Sequence, residues 1–176
     1  MKIVDRIVAA LATLGVVLAA IALIASMFLI AYSVVMRYFL NAPVTWVDEL
    51  VGYLLVASVM LAAADALRQG EHIAVDILTE RLSLSGRRIT ALAGFVAVAV
   101  AAALLTVEGV DMVAFSHMVG LLSNGHLAVP MWIPQIVVPI GAGLMGVAAI
   151  VGFIELVRGK APVVRQHGHG PAKGVE

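Results

Sequence analysis

The fold is decided by the stretch IVAALATLGVVLAAIALIASMFLIAYSVVM, Ile7–Met36, which contains no charged residue. A helix needs roughly 20 mostly apolar residues to cross about 30 Å of hydrocarbon, and this run exceeds that length. Three further runs are free of charge, at residues 50–64, 89–107 and 131–154. The first of these reaches spanning length when Asp65 is counted near its end, where a carboxylate can reach water. We therefore predict four transmembrane helices, at residues 7–36, 47–67, 87–107 and 131–157.

The composition of the whole chain agrees with this prediction. Of its 176 residues, 62% are hydrophobic and 12% are charged, and the mean hydropathy is +1.08. Soluble domains are about 45–50% apolar and about 25% charged. A transmembrane barrel would show short strands of alternating polarity, whereas these runs are continuous. The sequence thus predicts an all-α integral membrane protein. It has no cysteine, which excludes disulfides and thiolate metal sites.

Lysine and arginine predict the orientation, because short connections that carry them stay in the cytoplasm. With both termini inside, ten of the eleven basic residues are cytoplasmic and only Arg37 is outside. The ten are Lys2, Arg6, Arg68, Arg81, Arg87, Arg88, Arg158, Lys160, Arg165 and Lys173. The opposite orientation would reverse that ratio, so we predict an N-in, C-in topology.

The connections are short, so the four helices are predicted to form one membrane domain at residues 1–160. Residues 71–85 mix apolar and charged positions, a pattern typical of a short amphipathic helix on the cytoplasmic surface. Residues 108–122 carry apolar residues at helical spacing and either extend helix three or lie flat on the outer surface. Residues 161–176 are predicted to be a flexible cytoplasmic tail. The first apolar run is longer than a signal-peptide core of roughly 7–15 residues, so we expect a retained helix.

Small residues recur at four-residue intervals within three of the predicted helices. Such rows let transmembrane helices approach each other closely, and close packing is what holds helices together in lipid. The rows are Ser58, Ala62 and Ala66 in helix two, Ala93, Ala97 and Ala101 in helix three, and Ala142 with Gly146 in helix four. They predict helices that pack against each other or against a partner.

Several functional classes are disfavoured by what the sequence lacks. No predicted helix has an acidic or basic residue near its centre, and the two halves of the chain are not similar, so a solute pathway is not predicted. Motifs of metalloproteases, nucleophile elbows and phosphate-binding loops are absent, so an enzyme is not predicted. A haem-binding anchor needs histidines inside facing helices, whereas His72, His117 and His126 lie in or beside connections. We predict no cofactor or metal site in this chain and no nucleic-acid partner.

The most polar connection is RYFLNAPVTWVDEL, Arg37–Leu50, between helices one and two. Tyr38 and Trp46 are amphipathic rings that favour the headgroup level of a membrane. Asp48 and Glu49 fall in the first turn of helix two, where carboxylates are stabilised by the helix dipole. Arg37 is then placed to pair with either carboxylate, and an ion pair at a subunit contact would explain a basic residue on the outer side.

This part of the chain resembles a known family. The segment VVMRYFLNAPVTWVDELVGYLLVASVMLAAADALRQGEHIAVDIL, Val34–Leu78, is similar to the signature of the DctQ-type small membrane subunit of TRAP transporters, the tripartite ATP-independent periplasmic transporters. The elements that match are Arg37, Tyr38, Trp46, Glu49, Arg68, His72 and Asp76. A second segment, LAVPMWIPQIVVPIGAGLM, Leu127–Met145, is similar to the start of that family's fourth helix, with Pro130 and Trp132. One departure is Ala62–Ala64, where many relatives have Gly-Ala.

The resemblance implies a supporting role in the bacterial inner membrane, beside membrane lipids. A large membrane subunit would carry the substrate site and the ion-coupling site, with sodium as the expected ion, and would move by an elevator-like motion. A soluble periplasmic binding protein would deliver an organic acid. This chain would brace the large subunit through two clusters, an outer one of Arg37, Tyr38, Trp46 and Glu49 and a cytoplasmic one of Arg68, His72 and Asp76.

Two alternatives belong to other classes of membrane protein. One is the small four-helix subunit of another tripartite carrier that depends on a binding protein. The other is a haem-binding membrane anchor of an electron-transfer complex, which the histidine positions disfavour. A tetraspan scaffold unrelated to transport is a more remote possibility. Genes for a large permease and a secreted solute receptor beside this one would separate these interpretations.

Overall fold

A computed structural model of the chain describes residues 2–69 and 84–158. Its helices are α1 (Lys2–Tyr38), α2 (Trp46–Gln69), α3 (Leu84–Val119), the short α4 (Trp132–Gln135) and α5 (Val137–Val157). Four segments are long and apolar enough to cross a membrane, which confirms the predicted all-α fold with four spans. These segments are Arg6–Tyr38, Trp46–Gln69, Arg88–Val119 and Trp132–Val157.

The fourth span consists of α4 and α5, which are separated only at Ile136. Pro139 explains this interruption, because proline has no N–H to donate to the carbonyl of the residue four positions earlier, Gln135. The N–H of Ile136 still donates to the carbonyl of Trp132 at 3.2 Å, so the chain keeps its helical direction through the break. The fourth span therefore keeps one direction, with a local break in the helix at Ile136 near its first residue.

The third helix is longer than the predicted range 87–107. α3 has 36 residues and continues without interruption to Val119, so most of the segment 108–122 belongs to it. Glu108 and Asp111 lie exposed, eleven and eight residues before its end. The predicted amphipathic segment 71–85 falls almost entirely outside the described residues, and so does the predicted tail at 161–176.

The four spans form a row and not a closed bundle. α1 packs along α2, α2 packs along α5, and α5 packs along α3. Within the described residues, α1 meets α5 at only a few positions and has no extended contact with α3. The two ends of the row differ: the terminal end holds the start of α1 and the end of α5, and the loop end holds the connections 39–45 and 120–131.

The row converges at its terminal end. There a small apolar cluster joins α1, α2 and α5 through Val8, Ala12, Ala64, Leu67, Ala148 and Ala149, and Phe95 of α3 packs against it. Toward the loop end α1 diverges from this cluster, and its side chains are largely exposed; Met27 is 71% and Phe28 is 69% exposed. Because a membrane would cover such residues, this exposure fits a protein whose surface faces lipid or another membrane protein.

Glycines set the close approach of neighbouring helices. A Cβ atom at Gly141 of α5 would lie 2.5 Å from the carbonyl oxygen of Met60 in α2. A Cβ atom at Gly15 of α1 would lie 2.5 Å from the carbonyl oxygen of Leu61, the next residue of α2. Both α1 and α5 therefore approach the backbone of α2 at the same position along the axis of α2. In lipid, where burying apolar surface gains little, this contact between backbones is the main source of helix association.

The Gly141→Ala variant is expected to destabilise the row, because its methyl group collides with the backbone of α2. Overpacking of this kind costs about 1–3 kcal/mol. Thermal unfolding of the purified protein in detergent would show the loss as a lower midpoint.

The matched control is Gly52→Ala on α2, where a Cβ atom would meet nothing within 4 Å. This variant should unfold at or above the midpoint of the unmodified chain, since alanine favours helices over glycine. Equal midpoints for the two variants would contradict the proposed backbone contact.

Candidate subunit-contact site

The polar residues of the loop end gather around Glu49, in the first turn of α2. The hydroxyl of Tyr53, one turn further along α2, donates to Glu49 Oε1 at 2.8 Å. The backbone N–H of Leu127, in the connection between α3 and α4, donates to Glu49 Oε2 at 3.3 Å. One carboxylate therefore joins α2 to a connection that is 78 positions away in the sequence.

Two further residues of that connection surround the same carboxylate. Gly125 lies directly against it, because a Cβ atom there would overlap Glu49 Oε2. The Ser123 hydroxyl also lies beside it, and although its oxygen is buried, it makes no hydrogen bond of standard geometry. The carboxylate is thus held by donors from both elements.

The connection itself has a defined backbone. α3 ends in a Schellman motif: the N–H of Leu121 donates to the carbonyl of Ser116 at 3.0 Å, and the N–H of Gly120 donates to the carbonyl of His117 at 3.3 Å. Gly120 has φ of 66°, which glycine adopts without steric cost. The chain then folds back on itself, with an antiparallel bridge between Leu122 and Pro130.

The start of the fourth span packs onto the end of α3. The Trp132 ring meets the His117 ring edge to face, with centroids 5.5 Å apart. The sulfur of Met131 lies 3.6 Å from the Tyr53 hydroxyl. Pro130 closes the bridge with Leu122. Of the predicted outer residues, Pro130 and Trp132 are therefore brought to the same end of the row as Glu49.

Arg37 is placed differently from Glu49. Its Nη2 lies 4.0 Å from Asp48 Oδ2, and the two side chains are 50% and 75% exposed. The structure thus selects Asp48 and not Glu49 from the two predicted partners. Such an exposed pair in water contributes about 0–1 kcal/mol. Tyr38 is 76% exposed beside it, and Trp46 is half-buried at the start of α2.

The predicted cytoplasmic cluster is only partly described. Arg68 lies in the last turn of α2, half-buried, and its Nη1 is buried with no hydrogen-bond partner among the described residues. Asp65, three residues before Arg68, does not pair with it; Asp65 Oδ2 accepts from the side-chain amide of Gln69. His72 and Asp76 lie outside the described residues, so their relation to Arg68 stays a prediction.

Sequence analysis identified Glu49 but not the residues that hold it. Tyr53 is four residues further along the same helix, a spacing at which side chains meet, so this contact could have been found. Ser123, Gly125 and Leu127 carry no signal that links them to Glu49. Among the described residues, no group of three or more His, Asp or Glu is arranged to hold a metal ion. The loop end is a structural junction with exposed polar and aromatic side chains.

The Glu49→Gln variant is expected to loosen the connection between α3 and α4. Tyr53 and Leu127 donate to different oxygens of Glu49, and a carboxamide has only one oxygen, so its NH₂ group would face one of the two donors. Hydrogen–deuterium exchange across residues 121–130 should become several-fold faster.

The matched control for this variant is Asp48→Asn, the same change at the adjacent exposed carboxylate. It should leave exchange in the connection unaltered, because Asp48 does not contact residues 121–130. If Glu49→Gln exchanges as slowly as this control, Glu49 does not hold the connection.

Comparison with known proteins identifies the family. The family described as "Tripartite ATP-independent periplasmic transporters, DctQ component" matches residues 26–159. This range contains the whole loop end, including Glu49 and the connection that it holds. It also contains the contacts between α2 and α5 that organise the row.

An individual relative supports the same assignment. The C4-dicarboxylate TRAP transporter small permease protein DctQ of Rhodobacter capsulatus is 31% identical over 134 residues, which are 74% of this chain and 56% of that protein. The chain thus spans little more than half the length of this relative. With four helices able to span a membrane and a match over most of its length, the chain is a multi-pass membrane protein that belongs to the DctQ component family of the tripartite ATP-independent periplasmic transporters.

Proposed function

We propose that this chain is the small, non-transporting subunit of a TRAP-type secondary transporter, and that it braces the large permease subunit in the membrane. The large subunit would carry the solute site and the ion site and move by an elevator-like motion. A periplasmic binding protein would deliver an organic acid. The name of the Rhodobacter capsulatus relative makes a C4-dicarboxylate the first solute to test.

The observation that carries this proposal is the open row of helices. A solute pathway needs a cavity between helices, lined by polar groups near the middle of the membrane. In a row, each helix has neighbours only on its sides, so no interior exists for such a pathway. Among the described residues, Glu49 and Arg68 lie near the ends of α2, and Glu108, eleven residues before the end of α3, is exposed at the surface of the row. This arrangement suits a scaffold and not a carrier, and we assign the chain no catalytic role.

The outer face of α3 is the surface that we assign to the large subunit. In the most apolar 18-residue segment of this helix, only 6% of the residues are buried within the chain. The predicted row of small residues, Ala93, Ala97 and Ala101, is exposed, and a Cβ atom at Gly94 would meet nothing within 4 Å. By contrast, Ser58 and Ala142 of the other two rows are buried within the chain. A free row of small residues permits close approach of a partner helix in lipid.

The loop end is assigned to the outer side of the bacterial inner membrane. Ten of the eleven Lys and Arg residues then lie on the cytoplasmic side or in cytoplasmic segments, as the positive-inside rule requires. Arg37, Tyr38, Trp46 and Glu49 would face the large subunit or the binding protein there. Arg68, with His72 and Asp76, would form the contact on the cytoplasmic side.

The alternative of another tripartite carrier assigns the chain the same bracing role beside a different large subunit. The haem-anchor alternative gains no support from the described residues. His117 packs against Trp132 at the loop end, and His126 lies exposed in the connection, so neither faces a second histidine across the row. An electron-transfer role would need such a pair of axial ligands.

Uptake tests the proposed function. Cells that express the large permease and the binding protein should accumulate radiolabelled C4-dicarboxylate only when this chain is expressed with them. Accumulation should follow an ion gradient and persist when ATP is depleted, provided that the gradient is maintained. Equal accumulation without this chain would contradict the bracing role.

The Ala97→Leu variant tests the assigned face. The larger side chain separates α3 from a helix that packs on its small residues, so the yield of large subunit that co-purifies with this chain should fall several-fold. The control is Ala20→Leu, an exposed alanine of α1 whose neighbours one turn away, Val16 and Ile24, are large. If both variants retain the large subunit equally, it contacts another surface.

A further inference from the structure

A groove runs between α3 and α5 on the surface of the row. It encloses a volume of about 300 Å³. Phe95, Ala99 and Ala103 form its α3 side, and Ile150 and Phe153 form its α5 side. The lining is almost entirely apolar, so the groove offers nothing to a polar solute.

The groove exists because α3 contributes small alanines next to the rings of Phe95 and Phe153. Ala99 and Ala103 leave space that larger side chains would fill. Phe95 is fixed in place because its ring lies on Gly152, where a Cβ atom would be 2.5 Å from Phe95 Cε1. The aromatic wall is therefore part of the packing between α3 and α5, and the groove is a stable feature of that contact.

A basic side chain lies beyond the terminal end of the groove. Arg88 precedes Phe95 by seven residues, which is two helical turns and about 10 Å on the same face of α3. Its Nη2 donates to the carbonyl of Leu156 at 3.0 Å and to that of Val157 at 2.9 Å, at the end of α5. These bonds hold the guanidinium at the junction of the two helices that form the groove.

The hydrogen bonds described for Arg88 involve only its Nη2 group. A guanidinium has five N–H groups, so these bonds use only part of its capacity to donate. The side chain is exposed. Arginine held in this way binds phosphate oxygens well, because its N–H groups match the geometry of a phosphate.

We propose that the groove holds one acyl chain of an anionic phospholipid whose phosphate is bound by Arg88. The chain lies along Phe95, Ala99 and Ala103, and the headgroup lies at the terminal end of the row. An apolar groove with a basic residue at its membrane-surface end matches the chemistry of a phospholipid, and basic pockets between transmembrane helices bind acidic headgroups.

Lipid retention by the full-length chain tests the proposal. The protein is purified in mild detergent, delipidated, incubated with phosphatidylglycerol or phosphatidylcholine, and washed; bound lipid per protein is then measured by mass spectrometry. The unmodified chain should retain several-fold more phosphatidylglycerol than phosphatidylcholine. Two variants should each lose this preference. Ala99→Phe fills the groove, and Arg88→Gln removes the guanidinium N–H groups that donate to the phosphate.

Matched controls separate the groove from general effects. Ala20→Phe adds the same ring at an exposed alanine of α1, and Arg6→Gln removes a charge at the same end of the row on α1. Both should retain phosphatidylglycerol as the unmodified chain does, and circular dichroism should show equal helix content in all variants.

Two results would overturn the proposal. One is equal phosphatidylglycerol retention by Ala99→Phe, Arg88→Gln and the unmodified chain. The other is unchanged lipid retention by Ala99→Phe together with loss of the co-purifying large subunit, which would make the groove a protein interface. The lipid measurement uses this chain alone, so its outcome is independent of whether the chain braces a permease.

Discussion

The contact between the backbones of α2 and α5 is the constraint on which the rest of the structure depends. Gly141 brings α5 against the carbonyl oxygen of Met60, and Gly15 brings α1 against that of Leu61, so one turn of α2 is held from both sides. In water, an apolar helix face would find a partner through the hydrophobic effect. In lipid that driving force is weak, and contacts of this closeness decide which helices are neighbours. The order α1, α2, α5 follows from them, and Gly152 on the ring of Phe95 brings α3 to the other side of α5.

The open row also divides the molecule into two chemically different ends. At the loop end, a single carboxylate joins α2 to the connection between α3 and α4, and exposed polar and aromatic side chains surround this junction. At the terminal end, the helices converge on alanine, valine and leucine, and arginines such as Arg68 and Arg88 lie at the same end. The proposed bracing role needs this combination: a middle that is inert toward solutes, and ends that hold the position of the chain relative to a partner and to the lipid surface.

The fold was predictable because the membrane permits so few alternatives. An uncharged run such as Ile7–Met36 has to form a spanning helix, so the number and approximate position of the spans follow from the sequence. The end of α3 was less predictable, because Glu108 and Asp111 interrupt the apolar run of the sequence although the helix continues past them to Val119. The order of the helices depends on single glycines, whose close contacts no periodicity reveals.

For the candidate site, the sequence predicted the central residue, Glu49, but not the residues that contact it. Glu49 and Trp46 stood out as polar residues at a helix start, and Pro130 and Trp132 as the start of the fourth span. Arg37 was expected near either carboxylate, and only the geometry selects Asp48. Gly125 lies next to Glu49 because two distant segments meet at the loop end, and a contact between positions so far apart leaves no local pattern.

The distance between α1 and α3 tests the open row most directly. The chain contains no cysteine, so a variant with cysteines at Leu23 of α1 and Leu104 of α3 can be spin-labelled at these two positions, which lie at similar depth. The distance between the two labels is then measured by pulsed electron paramagnetic resonance. In the row, α2 and α5 lie between α1 and α3, so the axes of α1 and α3 are predicted to be about three interaxial distances apart, roughly 24–30 Å. In a closed four-helix bundle α1 and α3 would be in contact, with axes about 8–10 Å apart, and a distance distribution of that kind would contradict the account.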